Sequence, residues 1–206
     1  MKFINNVNET LRDDMAAEMQ KGSKLSIAAA YFSIYAFEAL RKELSNIDEL
    51  RFIFTDPTFI QKENSKKEKR EFYIPKLDRE RGIYGTEFEV KLRNELNQKA
   101  IARECAAWVK NKAIFKSNVG NKDITDKFIL LDDKAYFPVN GFTTVDLGCE
   151  QGNNMRTNIA KVASPMSLTL LEQFEKLWQN NEELKDVTDK VISSISSAYN
   201  ENAPEF

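Results

Sequence analysis

Between Leu25 and Phe32 the chain carries no charge. An apolar run this short reads as a strand buried on both faces. Ser33 follows directly and suits an N-cap, because its hydroxyl can accept from a free N–H of the first turn. Phe37, Leu40 and Leu44 then recur at helical spacing, and Leu50 to Phe54 reads as the second strand. Strand, helix, strand in that order predicts a parallel pair joined by a crossover, and hence an α/β fold.

The flanking sequence fills in around this unit. Val7, Leu11, Met15 and Met19 repeat every four residues and Gly22 follows, which predicts an amphipathic first helix. Thr86-x-x-Glu89 is a capping box, and Phe88, Leu92, Leu96, Ile101, Cys105, Trp108 and Val109 continue a helical stripe behind it. Ala113–Phe115, Phe128–Leu131, Ala135–Val139 and Asn158–Val162 read as strands, with a turn at Asn140-Gly141. Ser164-Pro165 reads as an N-cap and first-turn proline. The helix behind it carries Leu170, Phe174, Leu177 and Trp178, and a second stripe holds Val187, Val191, Ile195 and Ala198.

Composition removes several function classes. The 206 residues are 42% hydrophobic and 30% charged. A chain of this size buries about 70% of its unfolded surface, so a real core is available and disorder is excluded. A net charge of −2 excludes a globally basic nucleic-acid binder and leaves only a local patch for that purpose. Cys105 and Cys149 are the only cysteines and histidine is absent. A four-ligand N/S zinc site and a histidine-based catalytic triad are therefore ruled out within one chain. Both cysteines read as reduced thiols of a cytoplasmic protein. The N-terminus lacks a signal-peptide apolar run, and no stretch reaches the ~20 apolar residues of a membrane span, so no membrane partner is expected.

Thr125-Asp126-Lys127-Phe128-Ile129-Leu130-Leu131-Asp132 has the spacing of a phosphoryl-transfer motif, His-x-Lys-x-x-x-x-Asp, with threonine in place of histidine. Side chains alternate along a strand, so residues 125 and 127 share a face. In enzymes with this motif the histidine attacks phosphorus, the lysine stabilises the developing negative charge, and the aspartate helps orient the pair. A threonine hydroxyl is a poor nucleophile without an adjacent base, so covalent chemistry is not expected here.

Pro138-Val139-Asn140-Gly141-Phe142-Thr143 follows the motif. It resembles the Gly-Ser-x-Asn-Phe-Thr stretch of the phospholipase D superfamily. Phe142 and Thr143 match, Gly141 stands at the phosphate-contacting Asn, and Pro138-Val139 replace Gly-Ser. Further marks are Ala28-Ala29-Ala30-Tyr31-Phe32-Ser33, Phe52-Ile53-Phe54-Thr55, Arg103-Glu104-Cys105-Ala106-Ala107-Trp108, Phe174-Glu175-Lys176-Leu177-Trp178 and the segment from Ser197 to Phe206. Taken together, nearly the whole chain resembles the N-terminal phospholipase D-like domain of bacterial superfamily II helicases of the Swi/Snf-like type. The resemblance implies a phospholipase D-like α/β/α sandwich with a mixed central sheet and C-terminal helices. It makes residues 1–163 the domain, with 57–86 as a charged insertion. It makes 164–206 a helical segment leading toward a helicase motor beyond Phe206. The chain has no Walker-type Gly-x-x-x-x-Gly-Lys-Ser/Thr. ATP and Mg are thus expected only for the motor, and no cofactor for this chain.

The resulting expectation is a non-catalytic accessory module of an ATP-dependent DNA helicase or translocase. Lys127 would survive as a phosphate contact, Thr125 and Thr143 as hydrogen-bond donors, and Asp132 as the last motif residue. Lys62, Lys66, Lys67, Lys69, Arg70, Lys76, Arg79 and Arg81 would form an electrostatic arm with Phe72, Tyr73 and Tyr84 interleaved. Expected partners are DNA, the motor of the same protein and a second copy of the chain, since superfamily members with one motif copy generally pair. Two alternatives stand beside this. One is a metal-dependent nuclease using Asp132-Asp133-Lys134 with Asp123 or Asp126. The other is a purely structural dimerisation module.

Overall fold

The computed structural model describes residues 1–56, 95–120, 122–151 and 158–200. The basic arm from Lys62 to Arg81 and the Thr86–Glu89 capping box lie outside these residues. In chain order the elements are β1 (Lys2–Ile4), α1 (Leu11–Glu18), β2 (Lys24–Ala29), β3 (Tyr31–Phe32), α2 (Ile34–Ala39), α3 (Arg41–Leu44), β4 (Glu49–Phe54), α4 (Glu95–Lys112), β5 (Ala113–Asn118), β6 (Phe128–Leu131), β7 (Lys134–Phe137), β8 (Gly141–Phe142), β9 (Ile159–Val162), α5 (Leu168–Trp178), β10 (Leu184–Asp186) and α6 (Thr188–Asn200).

Eight of these strands form one mixed sheet in the order β1-β9-β7-β6-β2-β4-β5-β10. The expected parallel opening is present, with Leu25 opposite Leu50 and Ala29 opposite Phe54. β5 continues the parallel set beside β4, and β6 lies antiparallel to β2. β3 and β8 form a separate parallel pair, Tyr31 opposite Gly141 and Phe32 opposite Phe142. Asn140-Gly141 is therefore not a simple hairpin turn, because residue 141 opens a strand.

Period-two alternation builds two cores from one sheet. Leu25, Ile27, Leu50, Phe52, Phe54, Phe115, Ile129 and Leu131 face one side. There they pack with Leu11 and Met15 of α1, Phe37 of α2, Cys105 and Val109 of α4, and Val191 and Ile195 of α6. Ala28, Ile53, Phe128, Leu130, Ala135 and Val162 face the other side and meet Phe174, with Leu170, Leu177 and Trp178 packed against them. The result is the α/β/α sandwich. β10 pairs with β5 and extends the sheet, so residues 164–200 are built onto the same sheet as the residues before them.

Two local readings fail for identifiable reasons. The first helix starts at Leu11 rather than near Val7, which is 63% exposed. Asn5 Oδ1 accepts from the N–H of Val7 and of Asn8, and Asn6 is left-handed at φ 55. This Asx-type turn competes with the helix, and Thr10 becomes the N-cap by accepting from Asp13 N–H at 3.1 Å. Ser164-Pro165 is likewise not the start of its helix. The peptide is cis and α5 begins at Leu168. Ser167 flanks it without a side-chain cap and donates to the Asp133 carbonyl at 2.5 Å instead.

Candidate functional site

β2 is joined by crossover to β4 and β5 on one side of the sheet, while β6, β7 and β9 are added on the other. In open α/β sheets the boundary between two such directions leaves a crevice at the carboxyl ends of the parallel strands, and ligands bind there. β6 runs antiparallel, so its first residue lies at that rim, with Phe128 opposite Ala28. The rim gathers Tyr31 and Ser33 after β2, Thr55 and Asp56 after β4, Asn118 to Gly120 at the end of β5, and Thr125 to Lys127 before β6. Val139 to Asp146 follow β7 there.

Hydrogen bonds fix the rim. Thr55 N–H donates to Ala29 O at 3.0 Å and Ala30 N–H to Asn140 O at 3.0 Å. Ser33 N–H donates to Phe142 O at 2.9 Å, while the Ser33 hydroxyl caps α2 by accepting from Tyr35 N–H. Asn118, a buried amide, joins three turns. Its Nδ2 donates to Thr55 O at 3.3 Å and Lys122 O at 3.0 Å, and its Oδ1 accepts from Gly120 N–H.

Thr125 and Lys127 precede the strand rather than lying in it, with Thr125 exposed and Lys127 half-buried. The Lys127 carbonyl accepts from Val139 N–H at 3.3 Å, which ties the first motif element to the second. Several other cations of the fold are engaged. Lys2, Arg12, Lys24, Arg41, Arg51, Lys134 and Lys161 form ion pairs, and Lys112 and Lys116 donate to backbone carbonyls. The Lys127 ammonium has neither kind of partner among the described residues.

Asp132 is not brought to this rim. It sits beyond the far end of β6, in the turn before β7, left-handed at φ 52. Its Oδ1 accepts from Lys24 N–H at 2.9 Å, and its own N–H donates to Lys24 O at 3.0 Å. The expectation that it orients the Thr125–Lys127 pair is corrected on that ground, because the four residues of β6 intervene. The same placement separates Asp132 and Asp133 from Asp123 and Asp126. Asp133 pairs with Lys134, and Asp126 accepts from Gln173 of α5. Among the described residues no group of three or more His, Cys, Asp or Glu side chains is placed to hold a metal ion.

Thr143 is buried and already engaged. Its hydroxyl donates to Asp146 Oδ2 at 2.6 Å and accepts from Asp146 N–H at 3.1 Å. Asp146 is held from behind by Asn6, whose Nδ2 donates to the Asp146 carbonyl at 2.9 Å. The carboxylate in turn crowds Gly141, where a β-carbon would lie 3.2 Å from Asp146 Oδ2, 3.2 Å from Thr143 Cγ2 and 3.1 Å from Tyr31 Cβ. Space that a residue-141 side chain would take is filled by Asp146. Sequence reasoning did not single out Asp146, Asn118 or Tyr31 as site residues. The available signal was position, since each is a polar or aromatic residue at or near the end of a strand.

No family model matches the chain, and no curated protein matches it. Among solved structures it is similar to the crystal structure of the phosphatidylserine synthase of Haemophilus influenzae Rd KW20, a phospholipase D-superfamily member, at 8% sequence identity and a TM-score of 0.50. The match covers 99% of this chain and 44% of that one, so the chain spans under half the length of its neighbour. No helix among the described residues is long and apolar enough to cross a membrane. At this identity the likeness speaks for architecture alone, and that architecture is the phospholipase D-like α/β/α sandwich.

Proposed function

We propose that this chain is a non-catalytic phospholipase D-like module that holds a nucleic-acid phosphate at Lys127, as an accessory part of a larger ATP-dependent DNA helicase or translocase. The observation that carries the reading is Lys127 itself. It is half-buried at the crevice rim with no ion pair or side-chain hydrogen bond among the described residues, and such a cation is available to an incoming anion. The module is non-catalytic because Thr125 replaces the nucleophile and no histidine exists to restore it. The link to a motor rests on the sequence resemblance, and the role of the basic arm from Lys62 to Arg81 on its charge and interleaved aromatics.

Binding of short single-stranded and duplex DNA, titrated against salt, tests the phosphate contact. Electrostatic affinity is largest at low salt, so absence of binding there removes the reading. Lys127→Ala is expected to weaken binding and to reduce the slope of log K against log salt by about 1. Incubation with magnesium or manganese is expected to leave the DNA intact, and cleavage by folded protein would restore the nuclease alternative.

A further inference from the structure

β3 has only two residues, and they part company. Phe32 enters the core against Phe52, Phe115 and Phe142, at ring separations of 5.7, 5.0 and 5.8 Å. Alternation sends Tyr31 to the opposite face, where it is half-exposed at the crevice rim. Tyr31 has no side-chain hydrogen bond and no ring contact among the described residues. Its strand partner is Gly141, and a β-carbon there would lie 3.1 Å from Tyr31 Cβ. Glycine at 141 therefore lets the Tyr31 β-carbon pack directly against this strand.

Lys127 belongs to the same rim, far from Tyr31 along the chain but joined to it through the strand that pairs with β3. Its carbonyl is bonded to Val139 N–H, and two residues of chain, at most ~7 Å, separate Val139 from Gly141. A half-exposed aromatic ring and a half-buried cation on one rim, neither with a side-chain partner among the described residues, make an arrangement by which proteins hold single-stranded nucleic acid, the base stacking on the ring and the phosphate meeting the charge. The bases of a duplex are paired and stacked on one another and cannot reach such a ring.

We infer that the crevice takes single-stranded DNA, with Tyr31 as the platform for one base and Lys127 on an adjoining phosphate; this rests on the reading of Lys127 as a phosphate contact. The position of Asp146 agrees with that polarity. Its carboxylate lies on the Tyr31 side, next to Gly141. A phosphate would be repelled there, whereas a neutral base is tolerated and its exocyclic amine can donate to a carboxylate.

The test is fluorescence anisotropy at low salt with a labelled oligodeoxycytidylate and a duplex of equal length, on the full chain and on Tyr31→Ala, Tyr31→Phe and Lys127→Ala. Wild type is expected to prefer the single strand. Tyr31→Ala should weaken that binding by about five- to a hundred-fold, the range of one lost base–aromatic stack, and leave duplex affinity unchanged. Tyr31→Phe should restore it, since phenylalanine keeps the ring, and this separates stacking from a folding defect. Lys127→Ala should weaken both ligands. Loss on Lys127→Ala with no change on Tyr31→Ala overturns the stacking role alone. Absence of wild-type binding, or indifference to Lys127→Ala, overturns the phosphate reading beneath it.

Discussion

Gly141 and Asp146 are packed so closely that a β-carbon on residue 141 would meet the Asp146 carboxylate at 3.2 Å. Thr143 holds that carboxylate through its hydroxyl, and Asn6 holds its backbone. The loop from Thr143 to Gly148 is thus shaped around a missing side chain. Gly148 shows the same dependence, at φ +78 with Asn6 Oδ1 at 2.6 Å from the position of an added Cβ.

Gly141→Ala is accordingly expected to destabilise the fold by about 1–2 kcal/mol, the usual cost of forcing one methyl group into a filled site. Urea denaturation measures this. The cost should shrink when Asp146 is also changed to Ala, because the two residues compete for one space and their effects cannot add. Strict additivity in the double variant would show that the crowding comes from Tyr31 and Thr143 instead.

Arg51 anchors α5 to the sheet. Its guanidinium donates to Ser26 Oγ at 3.0 and 3.2 Å and to Glu175 Oε1 at 2.6 Å. It also lies 5.0 Å from the Phe174 ring and 5.6 Å from the Trp178 ring. Lys116 completes the contact over the Trp178 ring at 4.4 Å. Arg51→Met keeps an apolar stem of similar reach but loses the cation–π and hydrogen-bond contributions. A loss of about 1–2 kcal/mol is expected by urea denaturation, with Arg51→Ala worse because it also opens a void under Phe174.

The central strands were legible in the sequence because burial on both faces writes a mostly apolar run. β2, β4 and β6 each carry one, and Ser33 marks the start of α2 as its type suggests. Edge strands carry no such signal. Lys2-Phe3-Ile4 and Leu184-Lys185-Asp186 are three residues each with mixed exposure, and only pairing with β9 and β5 makes them strands. The site was half legible for a similar reason. Spacing located Thr125, Lys127 and Asp132, but the four-residue length of β6 decides which end each occupies, and it sends Asp132 away. Thr143 matched by type, while its commitment to Asp146 is a tertiary fact that no spacing encodes.

The two thiols should differ sharply in reactivity. Cys105 is fully buried in α4 against the core, and burial pushes its thiol well above the ordinary range. Cys149 is exposed beyond the loop that Asn6 clamps. Native protein treated with a chromogenic disulfide reagent is expected to release one equivalent quickly. The second should appear only on unfolding, since the thiolate is the nucleophile and Cys105 cannot form it. Two fast equivalents would mean that α4 opens readily.

Acid should unfold the protein through the edge where α1 crosses β7 and β9. Asp14 is buried and accepts from Lys161 Nζ at 2.8 Å, Tyr136 OH at 2.7 Å and Lys2 Nζ at 3.0 Å. Burial by itself raises the Asp14 carboxyl, but the three hydrogen bonds outweigh it and hold the group below the usual aspartate range. Glu18 is also held low, first by Lys161 and then by Lys134, at 2.6 and 3.2 Å. A carboxyl whose folded pKa lies below its unfolded value stabilises the fold fully above the unfolded pKa of about 4, and that stability is lost as pH falls through the lower, folded value. Asp14→Asn removes one of the two carboxylates that hold Lys161 and leaves Glu18 as its partner, so the loss is that of charge-assisted hydrogen bonds, about 1.5–3 kcal/mol. The variant is therefore expected to be less stable than wild type near pH 7 and to lose less on acidification, the gap closing as pH falls through the lowered folded value of Asp14. Urea midpoints measured from pH 7 down to pH 3 decide this. A constant gap across that range would mean that Asp14 contributes by packing rather than by charge.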